Sequence, residues 1–441
     1  MINDKASLAQ IPSGVGVNTL FSVVPNTSAG DFAYTGATNG TRVNKDGLIE
    51  TIPANVPRLN YNFINGVVQP DPHLLLEPQR INIYTYSQDL NQGNSLTNTT
   101  IDADSIVSPD GSLTGNKLTQ TSGALVRKTL TILSGTYAWS FFAKKGDLRY
   151  LNARSLFVLN GTTPANGNTI IDLDTNTIAY KGTNVTSASI EQYPNDWIKV
   201  EIVATDNATG SGDFVDFFFT DSDTNTQSTG VAGNGFIWGV QFEAGTYATS
   251  YIPTQGETNG VTRALDNAQI ASGAEDIIGS QNEGTLFIDL EIPYDTTSSD
   301  YFQFSISDPD AEEILDNRVF INFISGEAQF QVFSGGSGVG FCNTPVTKNI
   351  RLKIAGSYET DNFVLFKDGF LADDIDTGGT VNFTTQMESI RYADFGNGLK
   401  FQAKVYQTMF FKEALTQDEL ETLTSYKSFN EMATQQLYII E

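Results

Sequence analysis

The chain has 441 residues, 39% hydrophobic and only 17% charged, with 25 basic residues against 51 acidic and a net charge of −26. A field of that sign repels nucleic acid and anionic lipid, which argues against DNA binding. A single cysteine, Cys342, rules out an intramolecular disulfide, and a single histidine, His73, removes most histidine-dependent triad, acid–base and zinc chemistry.

The length allows two to four domains. Met1-Ile2-Asn3-Asp4-Lys5 has neither a basic n-region nor an apolar h-region, and no run reaches the length of a membrane span. Residues 1–80 are broken by Gly14, Gly16, Pro25, Gly30, Gly36, Gly40, Gly47, Pro53 and Pro57, with strand-like runs at Thr19 to Val24 and Asp31 to Thr35. They read as a turn-rich arm with little core of its own. Its apolar pieces, Leu20 to Val24 and Leu74-Leu75-Leu76, are an aggregation liability if left bare. Burial against other chains predicts a homo-oligomer, with the arm as its oligomerisation element. His73, between two prolines and a leucine run, reads as structural.

Residues 81–265 read as one β-sandwich. Period-two alternation places Tyr137, Trp139 and Phe141 on one face, and likewise Ile198, Val200 and Ile202, Val215, Phe217 and Phe219, and Phe236, Trp238, Val240 and Phe242. Ser108-Pro109-Asp110-Gly111, Lys145-Gly146-Asp147 and Asn234-Gly235 mark turns. Residues 266–441 read as a second sandwich. Leu286, Ile288, Leu290 and Ile292 face inward while Asp289 and Glu291 face out. Strands follow at Val319 to Ile324, Ala328 to Phe333, Ile350 to Ile354 and Phe363 to Lys367, with a hairpin turn at Asp368-Gly369. After a last strand from Phe401 to Phe411, Thr416 and Glu419 form a capping box, with Leu415 and Leu420 as its hydrophobic staple. The expected fold is all-β: two tandem β-sandwich (jelly-roll) domains after an N-terminal arm.

Catalytic motifs are sparse. Asp289 and Glu291 are the best carboxylate pair, and alternating charge on a one-sided strand is the ordinary reading of both. No phosphate loop, nucleophile elbow or zinc pattern occurs, so no enzymatic activity is expected. Acidic clusters at Asp308 and Asp310, and at Asp373 and Asp374, make calcium a candidate ligand, although neither has an EF-hand spacing. Tyr150, Tyr180, Tyr301, Tyr358 and Tyr392 lie near loops where a ring could stack on a sugar. Trp197 shares a face with Lys199 and Glu201, which makes it the tryptophan least committed to a core.

Two matched segments bracket the first sandwich. One is Pro72-His73-Leu74-Leu75-Leu76-Glu77-Pro78-Gln79-Arg80, running into Asn82 and Tyr84-Thr85-Tyr86-Ser87. The other is Trp238-Gly239-Val240-Gln241-Phe242-Glu243-Ala244-Gly245, running through Thr249-Ser250-Tyr251-Ile252-Pro253-Thr254 to Val261-Thr262-Arg263-Ala264. With Phe142-Ala143-Lys144-Lys145-Gly146 and Asp172-Leu173-Asp174 between them, they resemble a carbohydrate-binding-like β-sandwich module of bacteriophage tail-fibre and virion proteins. The order of strand, Asp-Gly hairpin, late strand and Ala414-Leu415-Thr416 helix start resembles the concanavalin A-like (laminin G-like) lectins. The resemblance implies a tail fibre, head fibre or similar appendage on the exterior of a phage particle. It would assemble as a homotrimer, as phage fibres commonly do, join other virion proteins through its arm and meet a host-surface glycan or receptor. A bacterial extracellular glycan-binding protein is the alternative, and a polysaccharide depolymerase the next.

Overall fold

The computed structural model describes residues 2–155, 167–206, 213–225, 227–279, 281–293, 302–308, 317–372, 375–393 and 402–426. Among the described residues its strands pair antiparallel, and its α-helices are Glu275–Ile278 and Gln417–Thr424. The chain is an all-β protein built of β-sandwiches.

The sheets divide the sequence differently from the expected order of arm, sandwich, sandwich. One sandwich is composite. In its 8-stranded sheet, Gly284–Glu291 lies between Arg351–Glu359 and Ala403–Phe411. Ala403–Phe411 pairs in turn with Ala6–Gln10 and with Val67–Leu76, which forms a hairpin with Arg58–Ile64. In its 9-stranded sheet, Asn267–Ile270 takes Phe32–Thr35 on one side and Ser389–Ala393 on the other. Residues 1–80 therefore supply strands to both sheets. Leu8, Leu20, Phe32, Tyr34, Leu74 and Leu76 are buried in the same core as Leu286, Ile288, Leu290, Phe330 and Tyr392. The boundary read near residue 80 separates no independent unit. The glycines and prolines that made the segment look coreless only break it into short strands, whose apolar faces fit a core built from the far end of the chain.

The other sandwich is an insert in the first. It leaves after Val67–Leu76 and returns before Asn267–Ile270, and its two ends are zipped together by Arg80–Asn82 against Val261–Arg263. Its strand Leu113–Thr129 serves both halves, pairing with Gly233–Ala244 near one end and with Phe214–Thr220 near the other. Tyr137, Trp139, Phe141, Val200, Ile202, Phe217 and Phe219 share its core, as their alternation predicts. The exception is Gly233–Ala244. A register shift opposite Ser140 and Phe142, with Gly239 at φ +62°, turns the strand over midway. Val240 and Phe242 stay in the core, with Ile237, while Trp238 points outward.

That outward face is covered. Val43 and Ile49, from the hairpin Gly40–Val43 and Ile49–Ile52, pack on Phe142, Tyr193, Trp197, Trp238 and Tyr251. Trp197 is fully buried there and donates its Nε1–H to the Val107 carbonyl at 3.0 Å. The first 80 residues thus belong to one sandwich and cap the other.

The bracketing segments meet at the junction. Glu77 accepts from Arg58 Nη1, from the Ser250 N–H and from Ser250 Oγ, each at 2.7 Å, and pairs with Arg263. Arg58 also pairs with Asp266, whose other oxygen accepts from the Tyr34 hydroxyl at 2.5 Å. Every one of these charged groups is buried. Burial pushes the Glu77 carboxyl up, but Arg263, Arg58 and the Ser250 hydrogen bonds outweigh it and hold it down at about 2. Glu243 accepts from the Thr249 N–H at 2.7 Å, and Gln241 Oε1 accepts from the Ile252 N–H at 2.6 Å. The two signatures are therefore the two jaws of one buried clasp at the neck of the insert.

Candidate functional site

A cleft of about 880 Å³ opens between the two sandwiches, with Glu77 and Ser250 of the clasp among its lining. That volume falls within the usual ~300–1,000 Å³ of ligand pockets.

The composite-sandwich wall is the sheet face that turns away from the core. Arg351 holds Asp289 bidentately at 2.7 and 2.8 Å and lies 3.7 Å from the Tyr406 ring centroid. The Asn62 amide donates to the Tyr406 oxygen at 2.5 Å, and Lys404 pairs with Glu291 at 2.7 Å. Burial alone would depress the Lys404 amine. Glu291 beside it and Glu191 from the facing wall hold it above its ordinary value instead. His73 lies beneath this wall, fully buried, with Asn60 Nδ2 at 3.1 Å from its Nε2. Burial, with Lys404 and Arg351 nearby, keeps it neutral, well below the usual histidine range. It is a packing residue, in line with its reading from sequence.

The insert wall carries Glu191, Gln192, Tyr193, Lys199 and Glu201, with residues 247–251 beside them. Glu201 is half-buried. Burial, with Glu243 and Glu191 nearby, pushes its carboxyl up to about 7 against the pull of Lys199. Tyr61 and Phe63 line the cleft from the first 80 residues, and the Phe63 ring lies 4.4 Å from that of Tyr193. The lining mixes aromatic faces with donors and acceptors of both charge signs.

The residues expected to carry a ligand mostly lie elsewhere. Trp197 is covered by the hairpin from the first 80 residues, and Tyr358 and Tyr392 are core residues of the composite sandwich, 0% and 1% exposed. None of the three can stack on a sugar. Their loop-proximal positions are strand positions in sheets closed over by segments distant in sequence. Tyr150 and Tyr180 are half-exposed on neighbouring ladders of the insert, outside the cleft. Tyr301 lies outside the described residues, as do Asp310, Asp373 and Asp374. Asp308 is buried and accepts from the Thr385 hydroxyl at 2.8 Å, with Asn317 at 3.4 Å. Among the described residues no three His, Cys, Asp or Glu side chains converge as a metal site. The cleft residues missed from sequence had one local signal. Asn60-Tyr61-Asn62-Phe63 alternates amide with aromatic, which by period two gathers Tyr61 and Phe63 on one face of the strand and two amides on the other.

No protein-family model and no curated protein matches the chain. Among solved structures it is similar to the CBM40 module of the Ruminococcus gnavus IT-sialidase bound to α2,3-sialyllactose. That likeness has a TM-score of 0.31 and 14% identity over 36% of this chain and 92% of that one. It is also similar to a leech intramolecular trans-sialidase (TM-score 0.30, 14% identity, 37% of this chain and 26% of that one). A heptameric SAP-like pentraxin from Limulus polyphemus gives 0.26 and 9%, over 34% of this chain and 72% of that one. No functional residue is carried over from any of them.

Proposed function

We propose that this chain is a non-catalytic glycan-binding protein of the phage-appendage type, with the cleft between its sandwiches as the glycan site. The observation that carries the reading is the lining of that cleft. Tyr61 and Phe63 supply aromatic surface, and Asn62, Gln69, Asp71, Lys199 and Glu191 supply donors and acceptors around it. The virion setting rests on the resemblance of the clasp segments to phage appendage modules. Attachment to other virion proteins, or to further copies as a trimer, would use Ile11, Val17, Phe21 and Val23, which are among the apolar side chains of the first 80 residues that stay exposed. Leu20 and Leu74 to Leu76 play no part, since the chain buries them itself.

The acidic residues support a binding rather than a hydrolytic role. Asp289, Glu291 and Glu77 are each committed to a cation. One observation favours a hydrolytic second reading: Glu201, at about 7, has the proton affinity of a general acid. Titrating the full chain with host-surface polysaccharide, and sizing the polymer afterwards, tests both readings. Binding should weaken at least tenfold in Tyr61→Ala and in Asp71→Ala, with polymer length unchanged. Undiminished binding in both variants would remove the cleft from the proposal. Shortening of the polymer that Glu201→Gln abolishes would replace it with the hydrolytic reading.

A further inference from the structure

A second hollow, of about 260 Å³, lies on the insert away from the cleft. Tyr86, Gln88, Asp89, Asp104, Thr114 and Gln255 line it. It is smaller than typical ligand pockets, with room for one small ring rather than an oligosaccharide.

Its walls are held from several directions. Tyr86 bridges to Gln255, and the Gly256 N–H donates to the Thr85 carbonyl at 2.6 Å. Gly256 has φ +110°, and a Cβ there would meet the Tyr86 hydroxyl at 2.6 Å, so glycine is what leaves the phenol its place. Asp104 comes from the hairpin Ser95–Val107 and Leu113–Thr129. The ladder of that hairpin shifts register between Asp102 and Ile106, and Asp104 takes φ +55° there. A bulge of this kind re-aims a side chain, and this one brings Asp104 to the rim of the hollow. Thr114 Oγ1 is fixed by the Trp238 Nε1–H at 3.0 Å.

The chemistry of the lining selects its occupant. Two carboxylates, two amides, hydroxyls and one aromatic ring face the space, and no lysine or arginine lines it. The Tyr86 hydroxyl, the Asp104 carboxylate and the Gln255 side-chain amide make no intramolecular hydrogen bond among the described residues. Asp104 and Gln255 are exposed and Tyr86 half-exposed, so an anion would meet two carboxylates with no cation to offset them, and an apolar ligand would displace their water without replacing its hydrogen bonds. Adjacent hydroxyls on a sugar ring donate to carboxylates and both donate to and accept from amides. We infer that this hollow is a second ligand site, for a single neutral monosaccharide. It does not depend on the cleft, since no residue lines both.

Saturation-transfer NMR on the full chain, with glucose, galactose, N-acetylglucosamine and glucosamine as separate probes, tests this. At least one neutral sugar should give saturable signals at millimolar concentration. Its affinity should fall about tenfold or more in Asp104→Asn, as expected for loss of a charge-assisted hydrogen bond, and fall again in Gln255→Ala. Asparagine tolerates the positive φ of position 104, so the fold is kept. The cleft variant Tyr61→Ala should leave these signals unchanged, which separates failure here from failure of the cleft. The inference is overturned if no neutral sugar binds, if glucosamine alone binds, or if Asp104→Asn and Gln255→Ala bind as the parent does.

Discussion

Residues 266–441, expressed alone, will not fold, although their strands and capped helix suggest an independent domain. The fragment lacks Leu8, Leu20, Phe32, Tyr34, Leu74 and Leu76, all 2% exposed or less. At roughly 1.5–3 kcal/mol for each buried apolar side chain, the missing burial amounts to roughly 9–18 kcal/mol. That is as large as the ~5–15 kcal/mol net stability of a whole domain. The fragment also leaves Ala403–Phe411 without two of its ladder partners and Asn267–Ile270 without one. Far-UV circular dichroism and amide NMR dispersion read the outcome, with a polypeptide of residues 1–80 added in a second sample. The fragment should show collapsed dispersion that the added segment at least partly restores. A dispersed, cooperatively melting spectrum from the fragment alone would refute the composite sandwich.

Three further outcomes follow from the clasp and the cleft. Glu77→Gln keeps Asp266 for Arg58 but leaves Arg263 buried without a carboxylate, so it should cost about 3–5 kcal/mol. Denaturant unfolding followed through the insert tryptophans measures this, and adding Arg263→Met should recover much of the loss. Because Glu77 is depressed to about 2 in the fold, its contribution is complete above the ordinary carboxylate value near 4.5 and is lost as pH falls towards 2. Acid unfolding of the parent should steepen in that window, and Glu77→Gln should flatten it. Glu201 has the opposite sign. Raised to about 7, it favours the fold when protonated, and that advantage drains away as pH rises from about 4.5 through 7. Glu201→Gln should therefore be neutral in stability at pH 4 and stabilising at pH 9 by thermal melting.

Much of the fold was legible wherever periodicity met burial on one side only. The inward sets Tyr137, Trp139 and Phe141, and Leu286, Ile288 and Leu290, each join a core. Thr416 and Glu419 make the reciprocal capping box that their spacing predicts. Local pattern failed where a strand has two faces to satisfy or a partner hundreds of residues away. The Gly239 bulge turned Trp238 out of an alternation that looked continuous. A short strand such as Ala6–Gln10 carries too few residues to show a period, and its ladder partner, Ala403–Phe411, lies at the far end of the chain. The cleft was the least legible element. Tyr61, Lys199, Arg351 and Lys404 become neighbours through the way the insert leans on its host, and no spacing along the chain records that.

The pairing of Ala6–Gln10 with Ala403–Phe411 also sets a timetable. Ser7 and its partner Phe410 are 403 positions apart. At ~5–20 residues per second of synthesis, the first strand waits roughly 20–80 s for the last to be made. The insert, whose ends meet at Arg80–Asn82 and Val261–Arg263, needs nothing beyond residue 263 to close its own ribbon and core. Folding on the ribosome should therefore run from the middle outwards. The insert forms first and offers the surface of Phe142, Trp197 and Trp238 to the hairpin Gly40–Val43 and Ile49–Ile52, which parks the waiting segment against it. On this schedule the neck clasp is the hinge pin of assembly: Glu77 and Arg263 can meet before the host sandwich exists, and Asp266 and Tyr34 lock on as it closes.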